Sequence, residues 1–264
     1  MKNNKYNPLL LDNKVCVITG AASLKSIGYA TAELFAAHGA KLVLLDVAMN
    51  DKIANEIATS IAHEIGRTTD IISIKCDICS TADCDKAIET AVARFGTIDC
   101  LVHCAGIVKS GGMLSISEQE HDTILDVNLK GTFNICKSAL KIFTKKQSGV
   151  IVNLASLAAQ RGGGLVGGAH YAASKGGVIS LTRSIAREFA PLSIRANVIC
   201  PAMIETNMLD GLTEDQLQEV ISTIPLKRVG KTVELAGTCL FLASDLSGFT
   251  TGATIDVNGG IHIH

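Results

Sequence analysis

Seven apolar runs of strand length recur along the chain: 14–19 (KVCVIT), 41–46 (KLVLLD), 70–75 (DIISIK), 98–105 (IDCLVHCA), 149–155 (GVIVNLA), 193–200 (SIRANVIC) and 253–257 (ATIDV). Segments with helical periodicity separate them, at 27–38, 50–65, 80–95, a stretch ending near Lys146, 171–190 and about 232–243. Such alternation leaves few architectures open. Strands joined through a helix run parallel, and a parallel sheet must be covered on both faces. The runs are apolar at successive positions, as strands buried on both faces require. The expected fold class is α/β: one doubly wound domain over 1–264, with a seven-stranded parallel sheet and helices on both faces. No low-complexity linker, charge block or repeat of 20 to 50 residues divides the chain. Segment 202–231 alternates less clearly. Because it follows the carboxyl end of a strand, it is expected to form a lid over a ligand crevice.

Composition narrows the partners. The 24 basic and 25 acidic residues leave a formal charge of −1, which offers no field for a nucleic acid backbone or an anionic membrane. The N-terminal MKNNKYNPLLLDNK lacks the apolar core of a secretory signal, and no run reaches the length of a membrane span. The expectation is therefore a soluble, cytoplasmic protein whose nine cysteines are reduced thiols. Cys76, Cys79 and Cys84 cluster in CDICSTADC, but no histidine stands at a finger-like distance to complete a zinc site, so packing is the expected role. His262 and His264, at i and i+2, would share one face of a strand and could then bind metal; a tail without that role is the simpler expectation. No metal is expected.

Two stretches carry chemistry. After the first strand comes Thr19-Gly20-Ala21-Ala22-Ser23-Leu24-Lys25-Ser26-Ile27-Gly28, with a helix opening near Ile27. Backbone amides at that helix start would face a pyrophosphate. Asp46 ends the second strand 18 residues after Gly28, the spacing of a carboxylate that takes adenosine ribose hydroxyls. A carboxylate there repels a 2′-phosphate, which favours NAD over NADP, although Lys25 in the loop argues the other way. The second stretch is Tyr171-Ala172-Ala173-Ser174-Lys175, where a four-residue separation brings Tyr171 and Lys175 onto one helix face. A phenol is a poor acid or base near pH 7 unless a neighbouring positive charge stabilises the phenolate. Ser156 follows the fifth strand, beside the expected crevice.

These pieces, with Asp77, Cys104-Ala105-Gly106, Asn128 in VNLKG, PAMIET at 201–206 and the closing GATIDVNGG, resemble the short-chain dehydrogenase/reductase family over essentially the whole chain. The resemblance implies a Rossmann fold and hydride transfer between NAD(H) and a secondary alcohol or ketone. It implies Tyr171 as acid/base, Lys175 lowering its pKa and holding the nicotinamide ribose, Ser156 hydrogen-bonding the substrate oxygen, and Asn128 holding a water that links Lys175 to solvent. Gly20, Ser23, Ser26, Ile27, Gly28, Asp46, Asp77, Ile78, Ala105, Gly106, Pro201, Ile204 and Thr206 would line the dinucleotide, with Asp77 and Ile78 at the adenine and Ile204 and Thr206 at the carboxamide. A homotetramer built through 118–146, 171–190 and the last strand is also implied.

The chain departs from the family pattern in three places. Leu24-Lys25-Ser26 stand where one glycine is usual, lengthening the loop by two residues, so Ser23 or Ser26 hydroxyls are expected to replace a backbone contact to phosphate. The usual NNAG reads His103-Cys104-Ala105-Gly106; His103 is expected to be a buried, satisfied histidine and Cys104 a packing substitute. Ser156 and Tyr171 stand 15 apart because the intervening segment holds five glycines, and that segment is expected to border the substrate. The 202–231 segment offers Met203, Ile204, Met208, Leu209 and Leu212 beside Glu205, Asp210, Glu214, Asp215 and Glu219, which suits an apolar or uncharged substrate. The alternatives are a 3-oxoacyl-[acyl-carrier-protein] or acyl-thioester reductase, with Lys109 and Arg161 as the cations for an acidic carrier, and a catalytically silent dinucleotide-binding regulator.

Overall fold

The computed structural model describes residues 9–164, 166–207, 211 and 213–264. All seven expected strands form: β1 Val15–Thr19, β2 Lys41–Asp46, β3 Ile71–Lys75, β4 Cys100–His103, β5 Gly149–Leu154, β6 Ile194–Pro201 and β7 Thr254–Val257. They pair in parallel in the order β3-β2-β1-β4-β5-β6-β7. The chain leaves β1 toward one edge of the sheet and then returns to the other side of β1, so the order reverses between β1 and β4. At such a switch point the loops beyond the carboxyl ends diverge and open a crevice.

Helices α1 (Ile27–Ala37), α2 (Asp51–Ile65) and α3 (Thr81–Phe95) form the first crossovers. Next come α4 (Glu118–Leu125) and α5 (Gly131–Lys146), joined by one wider π turn at Asp126–Lys130. α6 (Ala158–Arg161) is short, α7 (Ala169–Phe189) long, and α8 (Glu214–Thr223) and α9 (Thr232–Ala243) complete the set. The two faces of β1 show how the layers divide. Cys16 and Ile18 pack with Phe35 of α1 and Leu235 and Cys239 of α9, while Val15 and Val17 pack with Ile88 of α3 and Ile135 and Phe143 of α5. Period-2 alternation along one strand thus feeds two cores.

α8 departs from the weak pattern read for 202–231. Thr213 accepts from the Gln216 amide while the Gln216 side chain accepts from the Thr213 amide, a capping box legible as T-E-D-Q. Met208, Leu209, Asp210 and Leu212 lie outside the described residues. No helix is long and apolar enough to cross a membrane among those described.

Candidate active site

The loop after β1 turns at Gly20, whose φ of +70° suits glycine. Gly28, in the first turn of α1, lies so close that a Cβ there would come 2.4 Å from the Gly20 carbonyl oxygen. The helix start is thereby seated on the strand end, with Ile27 on the wall of the central cleft. The extra residues form a local turn in which the Ser26 amide donates to Ser23 O, and Ser26 Oγ then caps α1 by accepting from the Tyr29 amide at 3.0 Å. Ser23 Oγ accepts from Asn207 Nδ2 at 3.1 Å. Both hydroxyl oxygens therefore work as acceptors inside the protein, and what each retains for a phosphate is its proton. First-turn amides have no partner within their own helix, so this loop fits a pyrophosphate despite the missing glycine.

Asp46 closes β2 with both carboxylate oxygens engaged: Oδ2 accepts from the Ala22 amide at 3.1 Å and Oδ1 from the Ala48 amide at 2.9 Å. Its position beside the loop is fixed by backbone. Asp77 and Ile78 follow β3 at the same edge of the sheet; Asp77 Oδ1 accepts from the Cys79 amide, and the Ile78 side chain is buried against Gly131. In the nearby cysteine cluster, Cys76 and Cys84 are buried, the Cys84 thiol donating to Ile78 O at 3.6 Å, while Cys79 is half-buried and unbridged.

Beyond β4, β5 and β6 a cleft of about 460 Å³ gathers Gly106, Ser156, Tyr171, Lys175, Pro201, Ile204 and Thr206. Tyr171 and Lys175 belong to the first turns of α7, as their spacing predicts. Burial pushes the Tyr171 phenol up, and the neighbouring Ser156 hydroxyl pulls the other way. Among the chain's own groups, Ser156 is the influence that opposes burial. Lys175 is itself buried, its Nζ donates to Leu154 O at 2.9 Å, and burial lowers it to about 8. An ammonium so desolvated holds its charge weakly near neutral pH.

Asn128 sits in the π turn with every side-chain atom committed. Oδ1 accepts from the Ile107 amide at 2.9 Å; Nδ2 donates to Ile107 O at 2.9 Å and to Ser174 Oγ at 3.1 Å. Ser174 Oγ donates in turn to Tyr171 O. The side chain therefore clamps residues 106–107 to α7. A Cβ on Gly106 would lie 3.1 Å from Asn128 Oδ1 and 3.2 Å from Lys175 Nζ, so the glycine lets this backbone pass between them.

His103 is buried, but only half of it is satisfied. Thr19 Oγ1 accepts from the Cys104 and Ala105 amides at 3.1 Å each, so its one proton goes to His103 Nδ1 at 2.8 Å. The ring is then the Nε2–H tautomer, and Nε2 has no hydrogen-bond partner among the described residues. Burial, with the Lys175 charge adding, lowers this histidine to about 3. Cys104 lines the cleft, its thiol pushed up by burial. Thr19 and Ser174 hold the groups around the cleft in place and were passed over by motif reading: both work through backbone contacts, which no residue spacing announces.

Comparison with known proteins agrees with this geometry. A family model described as Enoyl-(Acyl carrier protein) reductase matches residues 20–262. An uncharacterized short-chain type dehydrogenase/reductase, y4mP, of Sinorhizobium fredii is 40% identical over 97% of this chain and 100% of its own length. The chain belongs to the short-chain dehydrogenase/reductase family. The 3-oxoacyl-[acyl-carrier-protein] reductase FabG of Thermotoga maritima is 38% identical over 96% of this chain and 99% of its own. Two crystal structures are similar: gox2181, at TM-score 0.89 and 31% identity over 96% and 97% of the two chains, and a short-chain dehydrogenase/reductase, glucose/ribitol dehydrogenase, of Brucella melitensis, at 0.85 and 39% over 97% and 99%.

As a short-chain dehydrogenase/reductase the protein is an oxidoreductase acting on CH–OH or keto groups, in a family that binds a nicotinamide dinucleotide. In this family member the second half of α8 also lines the cleft: Glu219, Val220 and Thr223, with Ile224 just beyond the helix, join Met203 and Ile204. The glycine-rich segment borders the cleft at 162–164, as expected, and is held at its far end where the Gly167 amide donates to Ser110 Oγ and the Gly168 amide to Lys109 O. Lys109 forms an ion pair with Glu120, which holds that carboxyl at about 2, and Arg161 Nη1 donates to Ile261 O at 3.0 Å.

Proposed function

We propose that the protein transfers a hydride between NAD(H) and a secondary alcohol or ketone, with Tyr171 as the acid/base. The observation that carries this reading is the convergence of Ser156, Tyr171 and Lys175 on one cleft, with the Ser156 hydroxyl facing the Tyr171 phenol closely enough to act on its pKa. The bound nicotinamide supplies the hydride acceptor or donor. Ser156 orients the substrate oxygen, and Tyr171 takes the hydroxyl proton in oxidation or returns it in reduction. Lys175 holds the nicotinamide ribose and supplies positive charge beneath the phenol. Asn128 is a positioning residue that fixes Gly106 and Ile107 under both. Residues 202–231 act as the lid of what functions as one domain over 1–264.

Gly20, Ser23, Ser26, Ile27 and Gly28 would hold the pyrophosphate; Asp46 the adenosine ribose; Asp77 and Ile78 the adenine; Ala105 and Gly106 the middle of the cofactor; and Pro201, Ile204 and Thr206 the carboxamide end. NAD is preferred because Asp46 brings a fixed negative charge to the 2′ position. Lys25 is exposed and shares its shallow depression with Glu56, which weakens it as a phosphate ligand.

A small uncharged substrate suits walls built from Met203, Val220 and Ile224. The acyl-thioester reductase reading is favoured by the 38% identity to FabG and by Arg161 at the cleft, but Lys109 has its charge answered by Glu120. Exposed Phe133 on α5, with Phe241, Leu246 and Phe249 around α9, supports a homotetramer, and a cytoplasmic enzyme agrees with the reading. The test is Tyr171→Phe: turnover should be abolished with NADH binding nearly intact, whereas a wild-type rate would overturn the assignment. A wild-type protein that binds NADH but turns over no alcohol, ketone or acyl thioester would instead favour the silent regulator.

A further inference from the structure

Beyond β7 lies a cluster of side chains that hydride transfer leaves unused. β7 carries Asp256, and after the turn at Asn258–Gly260 the chain folds back toward it. There Asn258 Nδ2 donates to His262 O at 3.0 Å and Asn258 Oδ1 accepts from the Gly260 amide at 2.8 Å. His264 Nε2 lies 3.1 Å from Asp256 Oδ2, and the His262 and His264 rings meet edge to face with centroids 4.8 Å apart. One ligand atom from each of the three residues lies within 4.8 Å of the others, and no other His, Cys, Asp or Glu trio converges so among the described residues. The strand that would have put both histidines on one face is not formed here; the returning tail brings them together instead.

Two further features make this more than a chance meeting of polar groups. Gln160 of α6 donates to Asp256 Oδ1 at 2.7 Å and lies 3.3 Å from His264 Nε2, so one amide touches two of the three residues. Its Oε1 is buried with no hydrogen-bond partner among the described residues. Carboxylates that bind metals are themselves hydrogen-bonded, and an orphan acceptor beside them suits a metal-bound water that must donate its protons.

We infer that Asp256, His262 and His264 form a site for a first-row transition metal of the Zn²⁺ class, with Gln160 orienting the carboxylate. Two imidazoles and one carboxylate match that class, whereas Mg²⁺ and Ca²⁺ take oxygen ligands. Ligands at about 2.0–2.1 Å from a tetrahedral ion stand about 3.3 Å from one another. The His264–Asp256 pair is already at that spacing, and rotation of the His262 side chain brings in the third. Three protein ligands leave one position for water, with Gln160 Oε1 as its acceptor. The ion ties the tail to β7, with α6 joined through Gln160, and Ile261 of that tail lines the substrate cleft, held there by Arg161. The site would therefore stiffen a wall of the cleft without taking part in proton or hydride transfer.

The experiment is titration of the full chain with CoCl₂ under reducing conditions, followed by visible absorption and equilibrium dialysis. One Co²⁺ per chain should bind, with the absorption of nitrogen and oxygen ligands and without thiolate charge transfer. Affinity should fall at least about tenfold in the His262→Ala, His264→Ala double variant, and about 10–100-fold in Gln160→Ala, the usual effect of losing an outer partner. The His63→Ala, His121→Ala double variant, which removes two exposed histidines elsewhere, should bind as wild type does. Failure to bind stoichiometrically, a thiolate band, or unchanged affinity in the His262, His264 double variant would each overturn the site. None of these readouts depends on turnover, so they stand apart from the hydride-transfer reading.

Discussion

Asn207 Nδ2 donates to Ser23 Oγ at 3.1 Å, linking the segment after β6 to the loop after β1 across 184 residues of sequence. One strand of the sheet ends beside the nicotinamide end of the proposed cofactor site and the other beside its phosphates, so this bond spans the proposed dinucleotide. A neutral, exposed hydrogen bond contributes on the order of 1 kcal/mol. Asn207→Ala should therefore raise the Kd for NADH about fivefold, by fluorescence titration. Ser23→Ala should raise it at least as much, because its hydroxyl is also proposed to reach the phosphate, and the double variant should match Ser23→Ala, since Asn207 acts through Ser23.

Asp46→Asn tests the cofactor preference with little change of shape. The amide keeps one oxygen to accept from a backbone N–H where the carboxylate has two, at Ala22 and Ala48. Loss of the charge should shift the ratio of kcat/KM for NAD over NADP by at least about tenfold toward NADP, equivalent to about 1.4 kcal/mol. An unchanged ratio would remove Asp46 as the determinant.

Gly106→Ala should lower kcat more than stability. The added methyl would sit 3.1 Å from Asn128 Oδ1 and 3.2 Å from Lys175 Nζ, so the clamp and the lysine must give by a few tenths of an ångström. Misplacement at a reacting centre is felt strongly, and kcat should fall about 10–100-fold. A thermal melt close to wild type would separate this effect from unfolding.

His103 makes acid stability a test of tautomer and burial. Its folded value of about 3 lies below the ordinary 6.5, so an unfolded chain binds a proton that the folded one refuses. The associated stability is complete above about pH 6.5 and is lost as pH falls toward 3. His103→Asn, which cannot take up that proton, should unfold at a lower pH in an acid titration followed by circular dichroism. An equal or higher midpoint would count against a neutral buried ring.

The order of strands and helices, the glycine turn, Asp46 and the Tyr171–Lys175 pair were all legible in the sequence, because each rests on local periodicity or spacing. Seven apolar runs separated by helical segments leave little but a parallel sheet covered on both faces, and the carboxylate 18 residues beyond the glycine at the helix start falls, as its spacing predicts, at the end of the neighbouring strand. What tertiary structure alone decided lies between segments remote in the chain. Thr19 sets the tautomer of His103, Asn128 spends its amide on Ile107 and Ser174, and Ser156 opposes the rise in the Tyr171 pKa. The tail followed the same division: two histidines two apart predict a shared face only on a strand, and it was the turn after β7 that carried both back to Asp256. Hydrogen bonds and desolvation depend on atoms brought within a few ångströms by packing, and sequence separation carries no record of that distance.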